Sequence, residues 1–224
     1  MKIGILITGH PPEELSDKGD YDAYFERLLG DEFSYASWSV VDGIFPDSIE
    51  DADGWLITGS KHGAYEPHDW IPPLEDFIRV VHADGRPMIG VCFGHQIIAQ
   101  ALGGRVEKFD GGWSVGRTAY ELDGREVTIN AWHQDQVVEK PEEAEVIAHN
   151  DFCRYAGLAY GDRIWTIQPH PEYDSDFIDG LIRTRGQGLV DPGILAAATA
   201  QLDTPTDRMD VARRMAEFFR KERA

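Results

Sequence analysis

The sequence predicts an α/β domain: a mostly parallel central sheet with helices on both faces, in three layers. Three observations predict it. Short, continuously apolar runs recur at Lys2–Thr8, Gly54–Thr58 and Met88–Val91, the pattern of strands buried on both sides. Between them lie segments with apolar residues at helical spacing, Tyr21–Leu29 and Trp70–His82, and such alternation builds a parallel sheet through crossover helices. The third is bulk: 224 residues with 42% hydrophobic content suffice to bury the core of one large domain.

Each element has its own local reason. In Tyr21–Leu29 the residues Tyr24, Phe25, Leu28 and Leu29 share one helical face. Phe33–Val41 is mixed and strand-like, and the acidic stretch Glu50-Asp51-Ala52-Asp53 precedes the apolar strand Gly54–Thr58. Trp70–His82 carries Pro72 and Pro73 in its first turn, where proline's missing N–H costs nothing. Beyond Gly104 the pattern changes to a β-rich insertion. Gly112–Leu122 and Glu126–Ala131 flank Asp123-Gly124, a strong hairpin signal. Val137-Val138, Glu145–Ala148, Phe152–Ala159 and Arg163–Ile167 continue as short strands. The C-terminal region, Phe177–Arg185, Gly193–Gln201 and Thr206–Arg223, reads as helical and charged. The expected organisation is a single domain, 1–224, with a helical extension at 188–224.

The chemistry concentrates in two segments. Pro87-Met88-Ile89-Gly90-Val91 leads into Cys92, which is bracketed by Gly90 and Gly94, and a helix follows with Ile97, Ile98, Ala101 and Leu102 on one face. Strand, tight turn, nucleophile and helix make a nucleophile elbow, with sulfur in place of a hydroxyl. A helix N-terminus favours a thiolate at that position, and the backbone N–H of Phe93 is an oxyanion donor by the elbow geometry. The second segment is Gln168-Pro169-His170-Pro171-Glu172, just past a strand. Its prolines force the chain out of the sheet and present the imidazole at the edge. His170 can take the thiol proton and return it to a leaving amine, and Glu172 can hold the other ring N–H. Cys92, His170 and Glu172 are therefore the expected catalytic triad. Cys153, the other of the two cysteines, is read as a buried, apolar-like residue.

Gly-Val-Cys-Phe-Gly-His-Gln at 90–96, with Gln-Pro-His-Pro-Glu at 168–172, resembles the class I glutamine amidotransferases, especially the glutaminase domain of GMP synthases and its stand-alone relatives. The similarity runs from Lys2-Ile3-Gly4-Ile5-Leu6 to about Tyr173. It implies a flavodoxin-like fold, cysteine attack on a γ-glutamyl amide, a thioester intermediate and release of ammonia or an amine. It also implies further site residues. Thr58-Gly59-Ser60 stands where the family has an oxyanion glycine loop, which makes Gly59 the second donor; the family's usual glycine pair is reduced here to one. Pro169 stands where synthase-type relatives have an aromatic residue. Gln96 matches the position whose amide binds the γ-glutamyl group. Gly112-Trp113-Ser114 resembles the segment whose backbone clamps the α-amino and α-carboxylate groups, with a strand-edge tryptophan packing on the core as the rival reading. Trp132-His133-Gln134-Asp135 matches a His-x-Asp support near the site.

Composition excludes other classes. A formal charge of −19 argues against nucleic-acid backbones and anionic membranes as partners. The apolar stretch Ile3–Ile7 stops at Thr8-Gly9-His10-Pro11, too short for a signal-peptide core or a membrane span, so a cytoplasmic location is expected. No phosphate-binding glycine loop is present, and no cofactor is expected. No metal is expected either: His10, His62 and His68 lie in loops near Glu66 and Asp69 without a known ligand spacing. The leading reading is hydrolysis of a small γ-glutamyl substrate, any ammonia being accepted by a separate synthetase subunit. Two alternatives stand beside it: a stand-alone γ-glutamyl peptidase, and a redox-sensing binding protein that uses Cys92 as its sensor.

Overall fold

Alternation within the first strand already divides the molecule's two cores. In the computed structural model, which describes residues 1–223, β1 (Lys2–Ile7) directs Ile3, Ile5 and Ile7 to one face and Leu6 to the other. Gly4 lies under the Trp55 ring, where a Cβ would come within 2.4 Å. The chain continues through α1 (Tyr21–Leu29), β2 (Ser34–Ser39), β3 (Gly54–Ile57), α2 (Ile71–Asp84), β4 (Met88–Val91) and α3 (Phe93–Ala101). The insertion follows: β5 (Arg105–Lys108), β6 (Ser114–Leu122), β7 (Arg125–His133), β8 (Asp135–Glu139), β9 (Glu145–His149) and β10 (Gly157–Tyr160). β11 (Ile164–Ile167) returns to the centre, and α4 (Ser175–Thr184), α5 (Pro192–Thr199) and α6 (Arg208–Arg220) complete the chain.

Among the described residues the main sheet has the order β2-β1-β3-β4-β11-β10-β9-β6-β7. The first five strands are mutually parallel and the rest join antiparallel. One face packs on Phe25, Leu28 and Leu29 of α1 and Val211, Met215 and Phe219 of α6. The other packs on Leu74 and Ile78 of α2 and Ile97 and Ile98 of α3. These are the three expected layers, and their two cores supply most of the apolar burial that stabilises the fold. A third cluster joins Phe177 and Leu181 of α4, Leu195 and Ala198 of α5, Val115, Trp132 and Tyr173.

The hairpin turn falls at Asp123-Gly124, with φ of 47° and 74°, the positive pair that a two-residue turn of this type requires. Two segments differ from the sequence reading. The strand expected over Phe152–Ala159 begins only at Gly157, because the Asn150 side-chain oxygen accepts from the N–H groups of Phe152 (3.0 Å) and Cys153 (2.7 Å) and holds them in a turn. Conversely, Arg105–Lys108 is a strand, paired antiparallel with β8 in a separate two-stranded sheet. Its only buried residue is Val106, too little apolar pattern to reveal it.

Candidate active site

Three neighbouring parallel strands, β3, β4 and β11, end side by side. Their next residues are Thr58-Gly59, Cys92 and Gln168-Pro169-His170. Sheet order thus gathers residues more than a hundred positions apart at the carboxyl edge, where open α/β sheets bind ligands. Cys92 has φ 52° and ψ −103°, a conformation an L residue adopts only when its surroundings enforce it. The enforcement is visible. The Cys92 N–H donates to Ile167 O at 2.9 Å, and the Gly94 N–H donates to Thr58 O at 3.1 Å. The bracketing glycines are steric necessities: a Cβ on Gly90 would lie 2.5 Å from Gly94 O, and one on Gly94 2.3 Å from Ile57 O. His95 locks the same helix to β11 through Thr166 Oγ1, at 2.8 Å. Burial lowers the His95 pKa to about 4, so it is a neutral structural imidazole.

The histidine loop is held as firmly. His170 Nδ1 pairs with Glu172 Oε1 at 2.7 Å, both side chains being almost wholly buried. That leaves Nε2 for Cys92, the ring's other electrostatic partner. Burial opposes a charge on this imidazole, but the Glu172 carboxylate and the Cys92 sulfur outweigh it and push its pKa up to about 10. The His170 N–H donates to Asn130 O at 2.8 Å, and Asn130 Nδ2 donates to Tyr173 O at 3.0 Å. The Tyr173 ring stacks on the imidazole, centroids 4.0 Å apart and planes within 6°. Arg208 Nε reaches from α6 to Pro171 O at 2.9 Å. Nothing in the sequence singled out Asn130 or Arg208, since a strand asparagine and a helix arginine carry no motif. Tyr173 closes the His-Pro-Glu-Tyr run but shows its role only in three dimensions.

The remaining expected residues fall around a cavity of about 240 Å³ lined by Cys92, His170, Gln96, Trp113, Trp132 and His133. Gly59 borders Cys92 and His170: a Cβ there would stand 3.0 Å from His170 Cε1 and 3.7 Å from Cys92 Cβ. Its carbonyl is fixed by the Thr8 and Thr58 hydroxyls at 3.0 and 3.2 Å. The Phe93 N–H opens α3, where no carbonyl of the helix can accept it. Gln96 Nε2 donates to Asp135 O (2.8 Å) and Gln168 Oε1 (3.1 Å). Both of its amide hydrogens are thereby committed. Trp113 meets Trp132 edge-on at 6.1 Å. Ser114, by contrast, is not among the lining residues; its hydroxyl turns toward Thr118. His133 is 3% exposed, with neither ring nitrogen bonded to the protein, and burial lowers its pKa to about 3, so a neutral imidazole faces the cavity. Asp135 accepts from Tyr65 OH at 3.1 Å, tying the rim loop to this segment. Cys153 is buried, and burial raises its pKa to about 12, so it is an inert thiol.

Comparison with known proteins bears on the family and the fold. A sequence model of the glutamine amidotransferase class-I family matches residues 41–180. The chain is 34% identical over 201 residues to gamma-glutamyl peptidase 4 of Arabidopsis thaliana, covering 81% of this chain and 80% of that one. It is 36% identical over 170 residues to the glutamine-hydrolyzing GMP synthase subunit of Archaeoglobus fulgidus, covering 71% and 87%. Among solved structures, a glutamine amidotransferase of Thermotoga maritima superposes with a TM-score of 0.75 over 98% of both chains at 18% identity, which bears on the fold alone. A flavodoxin-like sheet, an elbow cysteine at its carboxyl edge and a family match across both motifs lead to one conclusion: the chain belongs to the class I glutamine amidotransferase family.

Proposed function

We propose that the protein hydrolyses γ-glutamyl amide bonds with Cys92 as nucleophile, and does so unaided, as a γ-glutamyl peptidase. The observation that carries the reading is the Cys92–His170–Glu172 arrangement opening into one cavity. The Cys92 thiolate attacks the side-chain carbonyl carbon of the glutamyl group. The N–H groups of Phe93 and Gly59 receive the oxyanion, and one such donor is worth about 10²–10³ in rate. His170, held as an imidazolium by Glu172, gives its Nε2 proton to the leaving nitrogen, and the amine departs from a thioester. His170 then takes a proton from water as the water attacks the thioester, releasing glutamate and restoring the thiolate. The Gln96 carbonyl oxygen is left to accept from the glutamyl ammonium. Trp113 walls the cavity, which Ser114, at the start of β6, does not line.

Two observations favour a peptide over glutamine. Lys61, Lys108 and Arg185 line the cavity, in a chain of net charge −19. Such cations suit a substrate with a carboxylate on its leaving portion as well as on its glutamyl end. The relative named a gamma-glutamyl peptidase also spans more of this chain than the synthase subunit does. The second reading, glutamine hydrolysis with ammonia passed to a separate synthetase subunit, is favoured by the 36% identity to the archaeal GMP synthase subunit. The buried His170–Glu172 pair argues against a redox sensor, which needs no orienting carboxylate. A glutamate-release assay on the purified protein decides among these. A γ-glutamyl dipeptide turned over at least as fast as glutamine, with its α-linked isomer untouched, supports the peptidase. Activity on glutamine that appears only with cell extract decides for the partner-dependent amidotransferase.

A further inference from the structure

The loop between Gly59 and α2 folds the side chains of His62, Glu66 and His68 together. His68 Nε2 lies 2.7 Å and His62 Nδ1 3.4 Å from the same Glu66 oxygen, Oε2. All three potential ligand atoms fall within 4.8 Å of one another, the one such group of three among the described residues. We propose that His62, Glu66 and His68 form a binding site for one divalent transition-metal ion of the zinc class, at the rim of the active-site cavity.

Ligand chemistry and spacing both fit. Two imidazoles and a carboxylate are a borderline-soft N₂O set that suits zinc and its neighbours better than calcium or magnesium. Tetrahedral bonds of about 2.0–2.2 Å set ligand atoms roughly 3.3–3.6 Å apart. His62 Nδ1 already stands 3.4 Å from Glu66 Oε2, and His68 Nε2 stands 2.7 Å from it. Rotation of the side chains from within their 4.8 Å span seats an ion among them. The imidazoles are already oriented from behind. Their rings meet edge-to-face at 4.3 Å, and His68 stacks on Trp70, planes within 14°. Trp70 is buried and packs in turn against Phe93. The backbone is pinned as well, by Glu66 N–H to Gly63 O, His68 N–H to Glu66 O and Ile71 N–H to His68 O. Such support is what distinguishes a positioned ligand set from charges that happen to meet. His62 and Glu66 line the cavity whereas His68 does not. With three protein ligands, the open coordination position therefore faces the substrate side.

The test titrates the full-length protein with Zn²⁺ against a chromogenic chelator and records the absorption of its Co²⁺ form. One equivalent should bind to both the wild type and Cys92→Ser, with no sulfur-to-cobalt charge-transfer band. His68→Ala and Glu66→Gln should each weaken binding by at least about tenfold, since loss of even an outer-shell partner costs about 10–100-fold. His68→Ala should keep its activity in metal-free buffer, which shows that the variant is folded. Absence of stoichiometric binding, unchanged affinity in both variants, or loss of the ion in Cys92→Ser would overturn the site; the last would place the metal on the nucleophile instead.

Discussion

Two cysteines of one chain have opposite environments. Cys92 sits on a strained elbow against a buried imidazole, whereas Cys153 is sealed in the core as a thiol. Cys92→Ser should therefore abolish nearly all hydrolysis without loss of fold, while Cys153→Ser stays close to wild type; the reverse pattern in a glutamate-release assay would place the chemistry elsewhere. His170 adds a pH signature. Its folded pKa is raised, to about 10, above the ordinary 6.5, so the protonated ring contributes stability that is complete below about pH 6.5. That contribution fades as pH rises through the folded value. Urea midpoints measured from about pH 6 to 10 should fall more steeply for the wild type than for His170→Gln. Parallel curves would mean that the imidazolium is not held by Glu172 and the cysteine.

The elements position these groups through close backbone approach, not through the side chains of the strands. Adding one methyl at Gly94 would press on Ile57 O at 2.3 Å, with only backbone there to yield. Gly94→Ala should cost about 1–3 kcal/mol or more, read from urea denaturation, and depress activity beyond that loss because the elbow must shift. The elbow was legible because its requirements are local: glycine, cysteine, glycine and a helix start. The hairpin was legible for the same reason, through Asp123-Gly124. Strand β5 was not, since its partner β8 lies about thirty residues away and three of its four side chains are exposed. His62, Glu66 and His68 were visible as loop neighbours without a known ligand spacing, but a loop without periodicity does not disclose which side chains its turns bring together.

At the scale of the molecule, the helical segment read from the sequence as an appended extension is also a wall of the core. Val211, Met215 and Phe219 of α6 pack with Ile3, Ile5 and Phe25 on one face of the sheet, and Arg208 braces the histidine loop. Met215 is fully buried, so Met215→Ala should cost about 2–5 kcal/mol, measured by chemical denaturation. A cost near zero would show α6 to be dispensable. Periodicity could mark α6 as amphipathic, but not which face of the sheet it covers. That choice depends on apolar surface left open by α1, a fact of the assembled layers. The proposed triad could be read at Cys92 and His170 because each carries its own turn chemistry. Its bracing by Asn130, Tyr173 and Arg208 depends on long-range packing, and no local pattern encodes that.

In the proposed reaction Cys92 carries the glutamyl group during turnover. Acid-quenched intact mass spectrometry, with a γ-glutamyl peptide in excess, tests it most directly. The expected result is a γ-glutamyl adduct that peptide mapping places on Cys92 and that is absent from Cys92→Ser. Steady turnover with no adduct on Cys92, or an adduct on another residue, would contradict it.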